Sequence, residues 1–414
     1  MDQSIDHQQK KDSILTRFLS LWAIVYVFIF IINSQFFPTL PFMENFIIWF
    51  GKTFLHLSHL EKIKNTGSGD TTYDYVFLLV NFISSVIITL VILIADRKRK
   101  NYQQLFHFTI VIARYYVAFT MLTYGFAKIF NGQFPANGLF RLDQNVGSMS
   151  PMGMLWAFMG ASRAYTFFAG LMEATGGTLL LFRKTKTFGA LFSMTVMINV
   201  AIMNFTYDVP VKIFSTHIVL LCVFILTYEW KKLYRFFILH KPAELDYNKF
   251  TIKKKWALIT LRICKGVLIA VFFYSIISEM WPTLKEEKVP LEGLYTTQSF
   301  ILDHDTIPLS GTNDTLRWDK MFIAYAGGIS IVHPPQKYAW YETTIDTIKK
   351  TFHLQTRDSI PYASFTYAVR KDTLQLTGEI EKKEATILFT RKQAKDYPLI
   401  NRGFHWINEY PPNF

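Results

Sequence analysis

Apolar residues fall along the chain in runs long enough to cross a bilayer, separated by short polar and mostly basic segments, and then give way to strict alternation. The runs are 14–37, 76–95, 105–130, 161–182, 188–205, 213–228 and 256–277, each near the twenty residues that a membrane helix needs. The first exceeds a signal-peptide core and is followed by no small-residue cleavage site, so it reads as an uncleaved helix. Two amphipathic stretches read as surface helices between the runs. One is 45–57, with Phe46, Trp49, Phe50, Phe54 and Leu57 at helical spacing; the other is 152–159, behind Ser150 and Pro151.

From Leu291 the period changes to two. GLYTTQSFILD, RWDKMFIAYA, ISIVH, YAWYETTI, KKTFHLQTR, YASFTYAVR, DTLQLTGEIE and EATILFTRK read as eight strands, with turn signals between them. Eight strands in roughly a hundred residues suit a small up-and-down barrel, which removes sheet edges and holds one small ligand or is plugged by its own side chains. The tail NRGFHWINEYPPNF is expected to pack against it.

The organisation that follows is a polar segment over 1–13, two helices with an outer loop over 14–104, a four-helix core over 105–235, a basic linker over 236–255, a seventh helix over 256–280 and a β domain over 285–414. The fold class is thus a multi-pass α-helical membrane bundle followed by a small all-β barrel. The composition agrees: half of the 414 residues are hydrophobic and 18% are charged.

A net charge of +13 raises nucleic acid as a partner, but the positions of the cations dispose of it. The clusters Asp96–Lys100, Arg183–Lys186 and Trp230–Arg235 sit between runs, and with the amino terminus inside all of them become cytoplasmic. The expected location is therefore the inner membrane, with the bilayer as first partner and the β domain outside. Cys222 and Cys264 lie in apolar runs and form neither a zinc pattern nor a disulfide framework. Gly67–Asp70 lacks the lysine and spacing of a phosphate loop and reads as a solvated turn.

Candidate chemistry lies in the polar groups within the runs. Glu173 stands mid-helix on a face shared with Ala169 and Gly177, beside Gly170 and Ala174, so it should point into the bundle. A buried carboxylate needs a cation or hydrogen-bond donors, and Arg114, Lys128, Asn199 and His217 are the candidates. Either Glu173 and Arg114 form a structural ion pair, or these charges line a pocket for a polar head group or a quinone ring. His217 is a candidate proton carrier or a hydrogen-bonded interfacial residue. Tyr124 and its neighbours Tyr115 and Tyr116 could stack on a ring or anchor the interface, and Asn204 completes the set.

The segments RYYVAFTMLTYGFAKIF (114–130), SPMGMLWAFMG, EATGGTLLLFRKTKTFGAL and NVAIMNFTYDVPVKIFSTH resemble the DoxX-like membrane proteins. In that family an arginine-bearing helix with a G-x-x-K ending, here Gly125 and Lys128, precedes an E-x-x-G-G helix, here Glu173, Gly176 and Gly177. The resemblance covers about 105–230 and implies a four-helix bundle similar to the membrane subunits of thiosulfate:quinone oxidoreductase. It implies a quinone as ligand; no haem, flavin or iron–sulfur motif accompanies it. Two helices in front, one behind and the β domain are additions to the family pattern. Two further function classes stand beside quinone binding: an anchor presenting the barrel to a ligand or envelope protein, and a small-molecule transporter.

Overall fold

A computed structural model describes residues 12–34, 41–62, 67–243, 255–284, 289–309, 316–325 and 327–410. Most of the 1–13 segment and 244–254 of the basic linker lie outside the described residues. The chain divides into two units, Met1–Gln133 with Ala164–Met280, and Phe134–Arg163 with Trp281–Phe414.

The first unit is helical. Its helices are α1 (Ile14–Ile32), α2 (Pro41–Phe54), α3 (Thr72–Ala95) and α4 (Gln103–Ile129). The short α5 (Leu139–Asp143) and α6 (Pro151–Ala161) follow and belong to the second unit. The chain continues with α7 (Arg163–Leu181), α8 (Lys186–Thr206), α9 (Lys212–Thr227), α10 (Trp230–Phe237) and α11 (Lys255–Met280). Among the described residues five segments, α1, α3, α4, α8 and Ile259–Met280 of α11, are long and apolar enough to cross a membrane. α9 and α10 together would make a sixth, bent by 83° at their junction, and α7, with Arg163 and Glu173, is not among them. The sequence pattern anticipates α2 and α6 but not α10, whose Trp230–Arg235 it reads as a basic cluster after the run 213–228.

Local chemistry sets the helix ends. Ser13 accepts from the Thr16 amide at the start of α1, and Thr71 and Asp74 close a reciprocal capping box on α3. α9 begins at Val211, which offers no side-chain cap. Asp70 supplies it from a distant loop, accepting from the Lys212 and Ile213 amides at 2.7 and 3.0 Å. Gly69 donates to Pro210 O next door, so Gly67–Asp70 is a docked cap and not the solvated turn expected of its composition.

α4 is the centre of the bundle. Arg114, Val117, Ala118, Met121, Leu122, Gly125 and Lys128 are all buried. Small residues bring α7 close to it: a β-carbon at Gly125 would stand 2.7 Å from the Ala174 nitrogen, and one at Gly177 would stand 2.7 Å from Ala118 O. Gly176 faces the other way, 2.5 Å from Ser193 Oγ of α8 by the same construction. The paired glycines thus serve two helix contacts at once, which is a physical reason for two in a row.

The described residues of the second unit form nine strands: β1 (Gly293–Leu302), β2 (Asp305–Thr306), β3 (Lys320–Tyr325), β4 (Gly328–His333), β5 (Lys337–Asp346), β6 (Thr351–Gln355), β7 (Pro361–Arg370), β8 (Thr373–Ile380) and β9 (Lys383–Lys392). β1 and β3 to β9 form an eight-stranded antiparallel barrel in sequence order, closed by β1 against β9 from Leu294↔Lys392 to Leu302↔Ala385. β2 is a two-residue arm folded back on β1. All eight strands read from the alternation are present. Alternation decides which face turns inward: Leu374 and Leu376 are buried while Gln375 and Thr377 are exposed. The interior is filled by Phe300, Trp318, Met321, Phe352, Phe389 and their neighbours, each almost wholly buried. Of the two outcomes open to a small barrel, its own side chains plug it.

Two boundaries differ from the sequence reading. Phe134–Arg163, expected within the helical core, packs on the barrel: Leu139 of α5 is buried among Leu294, Phe322, Val332 and Tyr397. Asp143 takes a 2.5 Å salt bridge from Lys320 and a hydrogen bond from the Tyr397 hydroxyl. The described part of the aromatic tail, 401–410, does not pack on the barrel, with Phe404, Trp406, Ile407 and Tyr410 77–90% exposed; 411–414 lie outside the described residues. A closed, filled barrel offers no edge and no interior to receive it.

Burial pushes the Tyr295 phenol, which donates to Leu291 O at 2.8 Å, up to about 12. Its pKa is higher folded than unfolded, so its contribution to stability is complete below the unfolded value near 10 and is lost as pH rises from there toward 12. Denaturant titration of the purified protein, followed by tryptophan fluorescence, should give a falling barrel midpoint from pH 10 to 12, and Tyr295→Phe should flatten that fall.

Candidate functional site

Glu173 does point inward. It is 2% exposed, and its Oε2 accepts from Lys128 Nζ at 2.8 Å, with Lys128 itself 6% exposed. The pair spans the glycine-lined contact of α4 and α7, since Gly170, a turn before Glu173, would press a β-carbon to 2.8 Å from Lys128 Cβ. Close backbones leave room for a lysine and a glutamate to meet without lengthening either side chain. The Lys128 ammonium also lies 5.8 Å from the centre of the Tyr124 ring, and that ring is 6.0 Å from Phe214 of α9.

One turn along α9 from Phe214 stands His217, 6% exposed. Its Nδ1 is 2.7 Å from Ile213 O and its Nε2 is 2.8 Å from the Tyr26 hydroxyl of α1. A carbonyl can only accept, so Nδ1 carries the proton and Tyr26 donates to Nε2. Phe30 stacks on the imidazole at 4.4 Å and 8°. Phe30 in turn meets Tyr116 edge-on at 6.1 Å. The Lys128 end of α4 and the start of α9 thus carry two polar pairs, Lys128–Glu173 and His217–Tyr26, with aromatic rings between them.

The other candidates fall elsewhere. Asn204 is buried near the end of α8, where its carbonyl accepts from Val209 N. Asn199 is exposed on the outside of the same helix and so cannot partner Glu173. Arg114 is buried but lies 14 residues from Lys128 in one helix, about 21 Å at 1.5 Å per residue. The expected Glu173–Arg114 pair is therefore replaced by Glu173–Lys128. Arg114 shares a helical stripe with Lys128, but a stripe fixes direction and not depth. Tyr26 was missed because one tyrosine in a 19-residue apolar helix carries no signal until α1 is placed against α9. Among the described residues no group of three His, Cys, Asp or Glu side chains is placed to hold a metal ion.

No family model matches the chain, and no solved structure matches it. It is similar to the uncharacterized protein YwoB of Bacillus subtilis (strain 168), at 29% identity over 119 residues, which are 29% of this chain and 75% of that protein.

The geometry gives the pair a signature. Lys128→Met leaves Glu173 buried without its cation, and Glu173→Gln removes the anion that faces the Lys128 ammonium; each should lower stability by about 3–5 kcal/mol. The double variant should recover most of that loss. Thermal melts of the four proteins in one detergent check this, and additive losses would mean that the two groups do not act as a pair.

Proposed function

We propose that the chain is a DoxX-type protein of the inner membrane that crosses it seven times and binds the polar head of a lipophilic small molecule, a quinone, at the Lys128–Glu173 end of its bundle. Contacts between loops support the crossing number. Asp70, before α3, caps the start of α9, so both lie on one side and an even number of crossings separates them. α3, α4 and α8 supply three, which requires α7 as the fourth. Asp143, after α4, pairs with Lys320, after α11. Between them α7, α8 and α11 make three, so α9 must cross as well. The basic clusters then favour an amino terminus inside and a barrel outside.

The observation that carries the binding reading is the presence of two desolvated polar pairs, Lys128–Glu173 and His217–Tyr26, at one end of an apolar bundle. A bundle that only anchors a barrel has no use for either, and each is costly where water is absent. The Lys128 ammonium, a three-proton donor that gives one hydrogen bond to Glu173, supplies what a quinone carbonyl needs, while Tyr124 and Phe30 offer rings for stacking. Extraction of lipids from the purified protein should yield a quinone, and added quinone should raise its melting temperature. A quinone-free extract with an unmoved melt would overturn the reading.

A second reading, the anchor, is favoured by one contact. Phe134–Arg163, which joins the helices of Lys128 and Glu173, is packed on the barrel through Leu139 and Asp143. In that case the outer face of the barrel meets a ligand or an envelope partner. Truncation after Trp281 would then abolish the cellular phenotype while Glu173→Gln leaves it intact; quinone binding predicts loss in both.

A further inference from the structure

Arg114, separated from Glu173, belongs to a second polar group at the other end of the bundle. It is 4% exposed, and its guanidinium lies 4.8 Å from the centre of the Tyr115 ring. From the opposite helix, Lys265 of α11 brings its ammonium to 5.3 Å from the same ring and donates to Leu181 O, at the end of α7, at 3.1 Å. Arg183, two residues past α7, adds a third positive charge that acts on Arg114. Tyr115 is the one ring that both cations share.

Among the described residues none of these three cations is in an ion pair with a carboxylate. Among the described residues Tyr115 is what Arg114 meets, and its buried Nε has no hydrogen-bond partner there. A guanidinium this deeply buried is expensive unless an anion meets it. By contrast, of the described acidic residues at this end of the bundle, Glu229 is already held by Lys186 and Lys232 at 3.3 and 3.4 Å, and Asp96 by Arg99 at 3.5 Å.

We propose that Arg114, Lys265 and Arg183 bind the phosphate of an anionic phospholipid from the cytoplasmic leaflet, in the cleft where α11 crosses α4 and the end of α7. Three features argue for a lipid. Arg114 and Lys265 come from two helices and Arg183 from the turn after a third, at the bundle end that carries the Arg183–Lys186 cluster, and anionic lipids are recognised by basic pockets between helices on the cytoplasmic side. α11 is largely exposed along its length, with Val267, Leu268 and Val271 more than half exposed, so acyl chains have an apolar wall beside the charges. A guanidinium also presents the paired donors that match phosphate oxygens. The site goes beyond quinone binding and needs only the seven-crossing topology.

Native mass spectrometry of the full-length protein, released from nanodiscs of phosphatidylcholine with phosphatidylglycerol or cardiolipin, tests it. The wild type should retain one anionic lipid in preference to phosphatidylcholine, and Lys265→Gln and Arg114→Gln should each weaken retention about fivefold per charge removed. Arg114→Lys, which keeps the charge, should restore part of it, and Lys98→Gln, in an exposed basic cluster away from the site, should leave it unchanged. If Arg114→Gln fails to fold, Lys265→Gln on the peripheral helix carries the test. Equal retention of anionic and neutral lipids, equal loss in Lys98→Gln, or displacement by inorganic phosphate alone would overturn the proposal. The topology is checked separately: a single cysteine replacing Arg183 should react with membrane-impermeant maleimide only after the cells are opened, and labelling in intact cells would defeat the topology itself.

Discussion

The bundle depends on the close approach of α4 and α7, and the Lys128–Glu173 pair is possible because of it. Gly125, Gly170 and Gly177 remove the side chains that would hold the two backbones apart, and the ion pair then closes across the gap at 2.8 Å. The order of cause matters. Packing of small residues is the favourable term between helices in lipid, where apolar side chains gain nothing by leaving one hydrocarbon for another. The pair adds direction: it fixes depth as well as face, because sliding one helix by a turn would carry the Lys128 ammonium away from the Glu173 carboxylate.

The same constraint divides the polar residues by depth. Residues at one end of α4 join α7 and α9; those at the other end join α7 and α11. Lys128, Tyr124, Glu173 and His217 form the first group and Arg114, Tyr115 and Lys265 the second. Two chemically different sites follow. One has neutral donors and a balanced ion pair, suited to an uncharged head with carbonyls. The other has excess positive charge, suited to an anion.

Most of the fold was legible because each part obeys a simple period. The eight barrel strands follow an alternation that the closed sheet enforces on every residue, and the helices follow runs of apolar residues. The direction of Glu173 was legible from Gly170 and Gly177, since small residues mark the packed face. Three things were not. Asp70 reads as part of a turn until α9 is found to lack a cap of its own. Leu139 and Asp143 sit in a loop of glycine, asparagine and proline, whose composition says nothing of the barrel it covers. The choice of Lys128 over Arg114 needs the axial register of two antiparallel helices, and a face pattern carries no information on register.

The central claim is that Glu173 is an ionised carboxylate held by Lys128 and not by Arg114. Infrared difference spectra of the wild type and its variants, with Glu173→Gln as the reference that identifies the band, address it directly. The account predicts a carboxylate band for Glu173 in the wild type and in Arg114→Gln, replaced by a protonated carboxyl band in Lys128→Met. A protonated Glu173 in the wild type, or protonation on removing Arg114 while Lys128→Met leaves the carboxylate unchanged, would contradict it.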